Sequence, residues 1–237
     1  CRSLRESPEQ LDLAQLRGTL SQSQYLEWKS CLSMDPTDLD TFLHHRFPDR
    51  RYIHPNAWTE EDQRRGNSPV AGVTWYESQA FVRWLNAQSE LRARLPSEAE
   101  WEAAAGVRRD HSPDRVEPPD TLVNSIELHV QRPVPFGVLV ESPNVPETLL
   151  GNICEWVNTA YGSVSGLTSF SYPYVATDGR ENRLLEDSIS RLTKGGGYLY
   201  DRSYSRRSLR LYLRPSSRTV CDGFRIASSE PVHKDSN

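Results

Sequence analysis

Apolar residues recur three and four positions apart in several stretches of the chain, a spacing typical of helices with one buried face. The clearest stretch near the N-terminus begins after Ser21 and carries Tyr25, Trp28 and Leu32. A shorter helix is predicted on each side of it. The pattern therefore predicts a helical N-terminal part over residues 1–45.

Two further helices are predicted from their start signals. Thr74 with Glu77, and Ser97 with Glu100, have the spacing of a capping box. In this motif the N-cap hydroxyl and the glutamate side chain three residues later each bind a backbone N–H group. Glu98, Glu100 and Glu102 are interpreted as acids favoured by the dipole of the second helix, not as a catalytic set.

Strand patterns are short, and much of the chain has no regular period. Residues 67–73 and 222–226 are predicted as brief strands. Residues 106–146 are rich in proline and irregular, and a loop of tyrosine, serine and glycine is expected after Trp156, up to about residue 187. The chain therefore reads as a mixed α+β fold with much irregular loop.

Length and composition describe one globular domain over residues 1–237, on the polar side. No apolar run of about 18 residues exists, so no membrane-spanning helix is predicted. The net charge of −4 argues against general nucleic-acid binding. The chain begins at Cys1, and we interpret it as part of a longer protein. A cytoplasmic location is favoured, and a surface-anchored lipoprotein, which would also begin with cysteine, is the alternative.

The cysteines and histidines do not form a metal-binding pattern. The four cysteines are Cys1, Cys31, Cys154 and Cys221. They lie far apart without a CxxC pair, so no zinc site is predicted, and we expect the thiols to be reduced or buried. His44 and His45 are adjacent and cannot face the same way on a helix, which favours two surface histidines.

The segment of residues 194–227 is the strongest candidate for function. It opens with three glycines, Gly195 to Gly197, and closes with the turn and strand at residues 222–226. Between them tyrosine, arginine, serine and leucine follow no helical or strand period. Tyrosine and arginine are enriched at binding interfaces, so the segment is interpreted as a contact surface, with an ordinary solvated loop as the alternative. With the residues that lead into the glycines, this ligand-display region, or display segment, covers residues 190–227.

Four motifs carry a family resemblance: PVAGVTWYESQAFVRWLN, RLPSEAEWEAAA, GNICEWV, and RLTKGGGY with DGFRIA. In this order they resemble the formylglycine-generating-enzyme family, also called the sulfatase-modifying-factor domain family. The resemblance spans about residues 20–227. It implies the formylglycine-generating-enzyme subtype of the C-type-lectin-like fold, an α+β fold with short twisted strands.

The enzyme of this family is expected to bind copper through two cysteines that follow the glycines. The corresponding positions here are Tyr200 and Ser205. Neither side chain can replace a copper thiolate. Related non-haem iron branches need histidines, and residues 130–227 contain none. From these residues we expect that the chain is not an enzyme and has no catalytic residues.

A non-catalytic branch of the fold consists of the variable proteins of diversity-generating retroelements. There, mutagenic copying changes adenines in asparagine-type codons near the end of the gene. Such changes reach Tyr, Ser, Arg, Leu and Asp, but never Lys, Glu, Gln, Met or Trp. None of those five types occurs from Tyr198 to Asp222. The resemblance therefore implies a hypervariable surface in this segment.

The surface is expected to bind a protein ligand, because tyrosine, serine and arginine are the side chains that antibody paratopes use. Arg202, Arg207, Arg210 and Arg225 are alternatively assigned to the framework. The predicted ligand-contacting residues are Tyr198, Tyr200, Asp201, Ser203, Tyr204, Ser205, Tyr212, Arg214 and Ser217.

A calcium site is also implied by the resemblance, near the motif that contains Asn152 and Glu155. Both side chains offer the oxygen ligands that calcium prefers. The alternative is that both are structural hydrogen-bonding residues. No other cofactor is predicted.

Three other functions stay open from the sequence. One is an invariant accessory domain of a larger bacterial signalling or defence protein, attached to an NTPase-type or other effector domain. Another is an oxidase of the formylglycine-generating type. The third is a nucleic-acid binder that uses the arginines of the segment, whose affinity would fall steeply with salt.

Overall fold

The computed structural model describes residues 9–16, 21–46, 55, 66–106, 123–139, 146, 148–163 and 165–229. The chain divides into two compact units, Cys1–His54 and Pro55–Asn237. The predicted start of the first helix, at about Ser7, lies outside the described residues.

The described part of the N-terminal unit contains the helices α1 (Glu9–Leu16), α2 (Gln22–Ser33) and α3 (Pro36–Arg46). The N-cap of α2 is Ser21, which forms a capping box with Gln24. Tyr25 is buried, and its hydroxyl donates to the Asp12 carboxylate at 2.7 Å, which joins α2 to α1. The helical character predicted for residues 1–45 is confirmed over these three ranges.

In the C-terminal unit, α4 (Trp75–Gln88) and α5 (Glu98–Ala104) begin at the predicted capping boxes. The hydroxyls of Thr74 and Ser97 accept from the backbone N–H groups three residues on, and both glutamates return the contact. None of the helices in the described part of the chain is long and apolar enough to cross a bilayer.

The described strands of this unit form two small sheets. They are β1 (Ala93–Arg94), β2 (Cys154–Ser163), β3 (Ile189–Lys194), β4 (Leu211–Leu213), β5 (Asp222–Phe224) and β6 (Ala227–Ser228). The larger sheet has the order β4-β3-β2-β5, with β2 antiparallel to β3 and parallel to β5. The smaller sheet pairs β1 with β6.

The central strand β2 is where the sequence-based prediction was wrong. A loop was expected after Trp156, but residues up to Ser163 continue the strand. Asn158 and Thr159 are buried like their apolar neighbours Val157 and Ala160, so the strand has no polar face and no alternation of period two. The strand predicted over residues 67–73 is reduced to an isolated bridge between Ala71 and Gly223.

The core lies on both sides of this sheet. One cluster contains Trp101, Leu149 and Leu192, and a second contains Trp75 and Trp156. The other described residues of this unit are mostly irregular and include 3₁₀ helices at Ile126–Leu128 and Arg202–Tyr204. Short helices, two small sheets and long irregular connections confirm the α+β prediction.

Candidate functional site

One exposed group of the predicted surface lies on the turn that contains the second 3₁₀ helix. The Asp201 carboxylate accepts from the Ser203 N–H at 2.8 Å and caps this turn. Glu127 accepts from the Arg202 N–H at 2.9 Å, so the turn is also held from outside. The side chains of Asp201, Ser203 and Tyr204 are nevertheless exposed to solvent. The turn thus combines a fixed backbone with side chains that face solvent.

A second exposed group lies on β4 and the turn after it. The Tyr212 ring stacks on Tyr161 with ring centres 3.9 Å apart, and half of its surface faces solvent. Both rings line a cavity of about 270 Å³. Arg214 is exposed, and Ser217, which is half-buried, donates its N–H to the Arg214 carbonyl at 2.8 Å.

Two of the predicted contact residues are buried, so their side chains are not part of the exposed surface in this structure. Tyr198 is 5% exposed and Ser205 is 0% exposed. Tyr198 packs against Cys154 and Cys221, and its N–H donates to the Asn152 carbonyl at 2.9 Å. The chain passes through the interior at these two positions and returns to the surface between them. Tyr200 is half-buried and borders the same cluster.

Arg210 and Arg225 form ion pairs with buried glutamates, in agreement with the alternative assignment of these arginines to the framework. Arg210 lies with its Nε 2.7 Å from Oε1 of the buried Glu98. Its guanidinium also lies over the Tyr161 ring, at 5.3 Å from the centre. Arg225 binds both carboxylate oxygens of Glu155 at 2.5 Å. Both guanidinium groups stabilise the fold through ion pairs. Fewer arginines of the segment therefore remain available to bind the phosphate backbone of a nucleic acid.

A buried charge network lies next to this framework. Lys194 is fully buried, and its ammonium donates to the Glu102 carboxylate at 2.7 Å and lies 3.8 Å from Glu98. Burial raises the pKa of Glu98 and lowers that of Lys194. The interpretation of Glu98 and Glu102 as helix-dipole acids was therefore incomplete, since both are partners of buried cations.

The calcium site predicted at Asn152 and Glu155 does not fit the contacts of these side chains. The Asn152 Oδ1 accepts from the Asn124 amide and from the Val134 N–H, at 3.0 and 2.8 Å. Glu155 accepts from the Trp101 indole at 2.7 Å and faces the positive charge of Arg225. Both residues serve as the structural hydrogen-bonding groups that the alternative described.

The fold also brings together two cysteines that the sequence analysis treated as isolated. The parallel pairing of β2 with β5 aligns Cys154 with Asp222, and the Cys154 N–H donates to the Cys221 carbonyl at 2.8 Å. Both thiols are buried and free. One ligand atom each from Cys154, Cys221 and Asp222 lies within 4.8 Å of the others. Only the pairing of distant strands creates this cluster, so cysteine spacing could not reveal it.

Burial and contact between the side chains shift the pKa values of the residues in this cluster. A hydrogen bond with Cys221, together with burial, raises the pKa of Cys154 well above its usual value. The same hydrogen bond lowers the pKa of Cys221. Burial raises the pKa of Asp222 and that of the neighbouring Tyr200.

Comparisons with known proteins agree with this architecture. Residues 20–230 match the sulfatase-modifying factor enzyme 1-like domain. Hercynine oxygenase of Mycolicibacterium smegmatis is 29% identical over 192 residues, which cover 74% of this chain and 43% of that protein. The formylglycine-generating enzyme of Mus musculus is 24% identical over 193 residues, which cover 74% and 48%. The chain thus spans less than half the length of these curated relatives.

Among solved structures, variable protein 1 of Treponema denticola is similar. Its TM-score is 0.53 at 18% identity, over 70% of this chain and 72% of that one. At this identity the likeness concerns the fold, and it agrees with the fold that the sequence motifs imply.

The expectation that the chain is not an enzyme requires correction. It rested on Tyr200 and Ser205 at the positions of a catalytic cysteine pair. The curated relatives, however, include hercynine oxygenases at 27–29% identity, which are enzymes. Replacement of that one cysteine pair therefore does not exclude catalysis.

Proposed function

Because the chain belongs to the sulfatase-modifying factor enzyme 1-like family, we propose that it uses this fold to present a ligand-binding surface diversified by a retroelement. The ligand proposed for this surface is a protein. The surface consists of two exposed groups, one on the turn at Asp201, Ser203 and Tyr204 and one at Tyr212 and Arg214.

The observation that carries the proposal is the separation of fixed backbone from exposed side chains in the turn. The Arg202 N–H is held by Glu127, and the Ile126 N–H donates to the Tyr200 carbonyl at 3.0 Å. The buried residues Tyr198 and Ser205 anchor the turn on both sides. The exposed side chains of Ser203 and Tyr204 between these anchors can therefore change with little effect on the core, whereas Asp201 also caps the turn.

The kinds of residue at the exposed positions support a protein ligand. Tyr204 and Tyr212 are 41% and 48% exposed, and each offers broad contact area at low entropic cost. Asp201, Ser203 and Arg214 add hydrogen-bonding groups of both charges. The absence of Lys, Glu, Gln, Met and Trp from Tyr198 to Asp222 supports diversification through asparagine-type codons.

A binding experiment on matched variants tests this function. The surface variant carries alanine at Asp201, Ser203, Tyr204, Tyr212 and Arg214. The control variant carries alanine at Thr177, Arg183 and Leu184, which are exposed residues outside the segment. Proteins from the surroundings of the source organism are screened for binding to the unmodified chain, and each partner found is measured against both variants.

We expect the surface variant to lose binding while its melting temperature stays close to that of the unmodified chain. The control variant should bind its partner unchanged. Partners that bind the surface variant as tightly as the unmodified chain would overturn the proposed location of the site.

A further inference from the structure

We propose that Cys154, Cys221 and Asp222 form a binding site for one Zn²⁺ ion inside the C-terminal unit. The inference is independent of the proposed ligand-binding surface. It rests on the position of three buried side chains at the junction of β2 and β5.

The three side chains have the chemistry and the spacing that zinc requires. Zinc in proteins is bound by thiolates at about 2.3 Å and by carboxylates at about 2.0–2.2 Å. Tetrahedral bonds of these lengths place neighbouring ligand atoms about 3.4–3.8 Å apart. The ligand atoms of Cys154, Cys221 and Asp222 already lie within 4.8 Å of one another, so the cluster needs little movement to close around an ion.

The carboxylate of Asp222 gives independent support for a bound metal ion, because one of its buried oxygens has no hydrogen-bond donor among the described residues. Its side chain is 1% exposed, and its Oδ2 accepts from the Thr219 hydroxyl at 2.6 Å and the Thr219 N–H at 3.2 Å. Its Oδ1 is buried and accepts from no donor among the described residues. Leaving a buried carboxylate oxygen without a partner is costly. A metal ion at this position would satisfy it.

Neighbouring groups are placed to orient the ligands. The Thr219 hydroxyl lies 3.4 Å from the Cys221 sulfur as well as bonding Asp222, so one side chain contacts two of the three proposed ligands. The Tyr200 side chain also packs against the cluster that contains both cysteines. Such contacts fix the direction of metal ligands and raise affinity.

Gly197 lies beside the cluster. A Cβ atom at Gly197 would lie 3.5 Å from the Cys154 sulfur and 3.4 Å from the Cys221 Cβ. Glycine at this position therefore keeps side-chain atoms away from the two thiols.

Zinc titration of the full chain, reduced and freed of metal, tests the proposal. A chromophoric chelator competes for the ion, and the bound metal is counted after dialysis. We expect one zinc ion per chain. The substitutions Cys154→Ser, Cys221→Ser and Asp222→Asn should each remove this site, and Thr219→Val should weaken it about 10- to 100-fold.

The matched control is the double variant Cys1→Ser/Cys31→Ser, which removes the two thiols outside the cluster and should still bind one ion. A spectrum of the unmodified chain with Co²⁺ guards against variants that fail to fold, since thiolate ligation produces a charge-transfer band in the near ultraviolet. The absence of this band, the absence of zinc in the unmodified chain, or full zinc binding by folded Cys154→Ser would overturn the proposal.

Discussion

Tyr198 and Tyr204 belong to the same segment of the chain, yet they have opposite environments. Tyr198 is 5% exposed and packs against two buried cysteines, whereas Tyr204 is 41% exposed on the capped turn. Both residues are tyrosines, and a tyrosine codon is reachable from asparagine-type codons. Burial therefore decides which of them belongs to the framework and which to the surface.

Substitution of each of these two tyrosines by alanine shows how much each side chain contributes to the free energy of unfolding. Tyr198→Ala should lower the free energy of unfolding by about 3–5 kcal/mol, because it empties a packed position in the core. Tyr204→Ala should change it by no more than about 0.5 kcal/mol, as at other surface positions. Urea denaturation of the two variants provides the comparison. Equal losses would contradict the division of the segment into framework and surface.

At the scale of elements, the glycine that directly follows β3 has a specific steric role. Gly195 has a φ of +94°, and a Cβ there would lie 2.5 Å from the Leu149 carbonyl oxygen. Its own carbonyl accepts from the Gly151 N–H at 2.7 Å. This close approach connects the start of the display segment to the start of β2.

Gly195→Ala should therefore cost more stability than Gly137→Ala. Gly137 has a similar φ of +85°, but a Cβ there would meet no atom within 4 Å. Both substitutions incur backbone strain of about 1–2 kcal/mol, and only the first adds about 1–3 kcal/mol from the clash. Thermal or chemical unfolding of the pair tests this, and indistinguishable losses would show that the approach to Leu149 is not a real constraint.

The elements that could be predicted are those with local signals. The capping boxes at Ser97 and Thr74 mark helix starts within four residues of sequence, so the structure agrees with them. Strand β2 carried no such signal, because polar Asn158 and Thr159 are buried beside apolar residues. The meeting of Cys154 with Cys221 depends on strand pairing between distant parts of the chain, which no local pattern encodes.

Across the C-terminal unit, a buried cation joins a helix to the sheet. Lys194, at the end of β3, is 0% exposed and pairs with Glu102 on α5 at 2.7 Å. Its neighbour Glu98 also contacts Arg210 within the display segment. The charges therefore connect the core to the region proposed to bind a ligand. Substitution of one of them alone would leave a buried charge without its partner.

Removal of the cation alone should be severe. Lys194→Met should lower the free energy of unfolding by about 3–5 kcal/mol, because it leaves Glu98 and Glu102 buried with one cation fewer. The double variant Lys194→Met/Glu102→Gln should be less destabilised than the single one. Guanidinium denaturation measures both. A loss below about 1 kcal/mol for Lys194→Met would show that the network contributes little.

Sequencing the codons for residues 190–227 in many individuals of the source population tests whether this surface is diversified. We expect changes concentrated at the codons for Asp201, Ser203, Tyr204, Tyr212 and Arg214, all compatible with an asparagine-type origin. The glycines at 195–197 and the sequence at 223–225 should stay constant. An invariant segment across the population would contradict diversification and leave a dedicated accessory domain in its place.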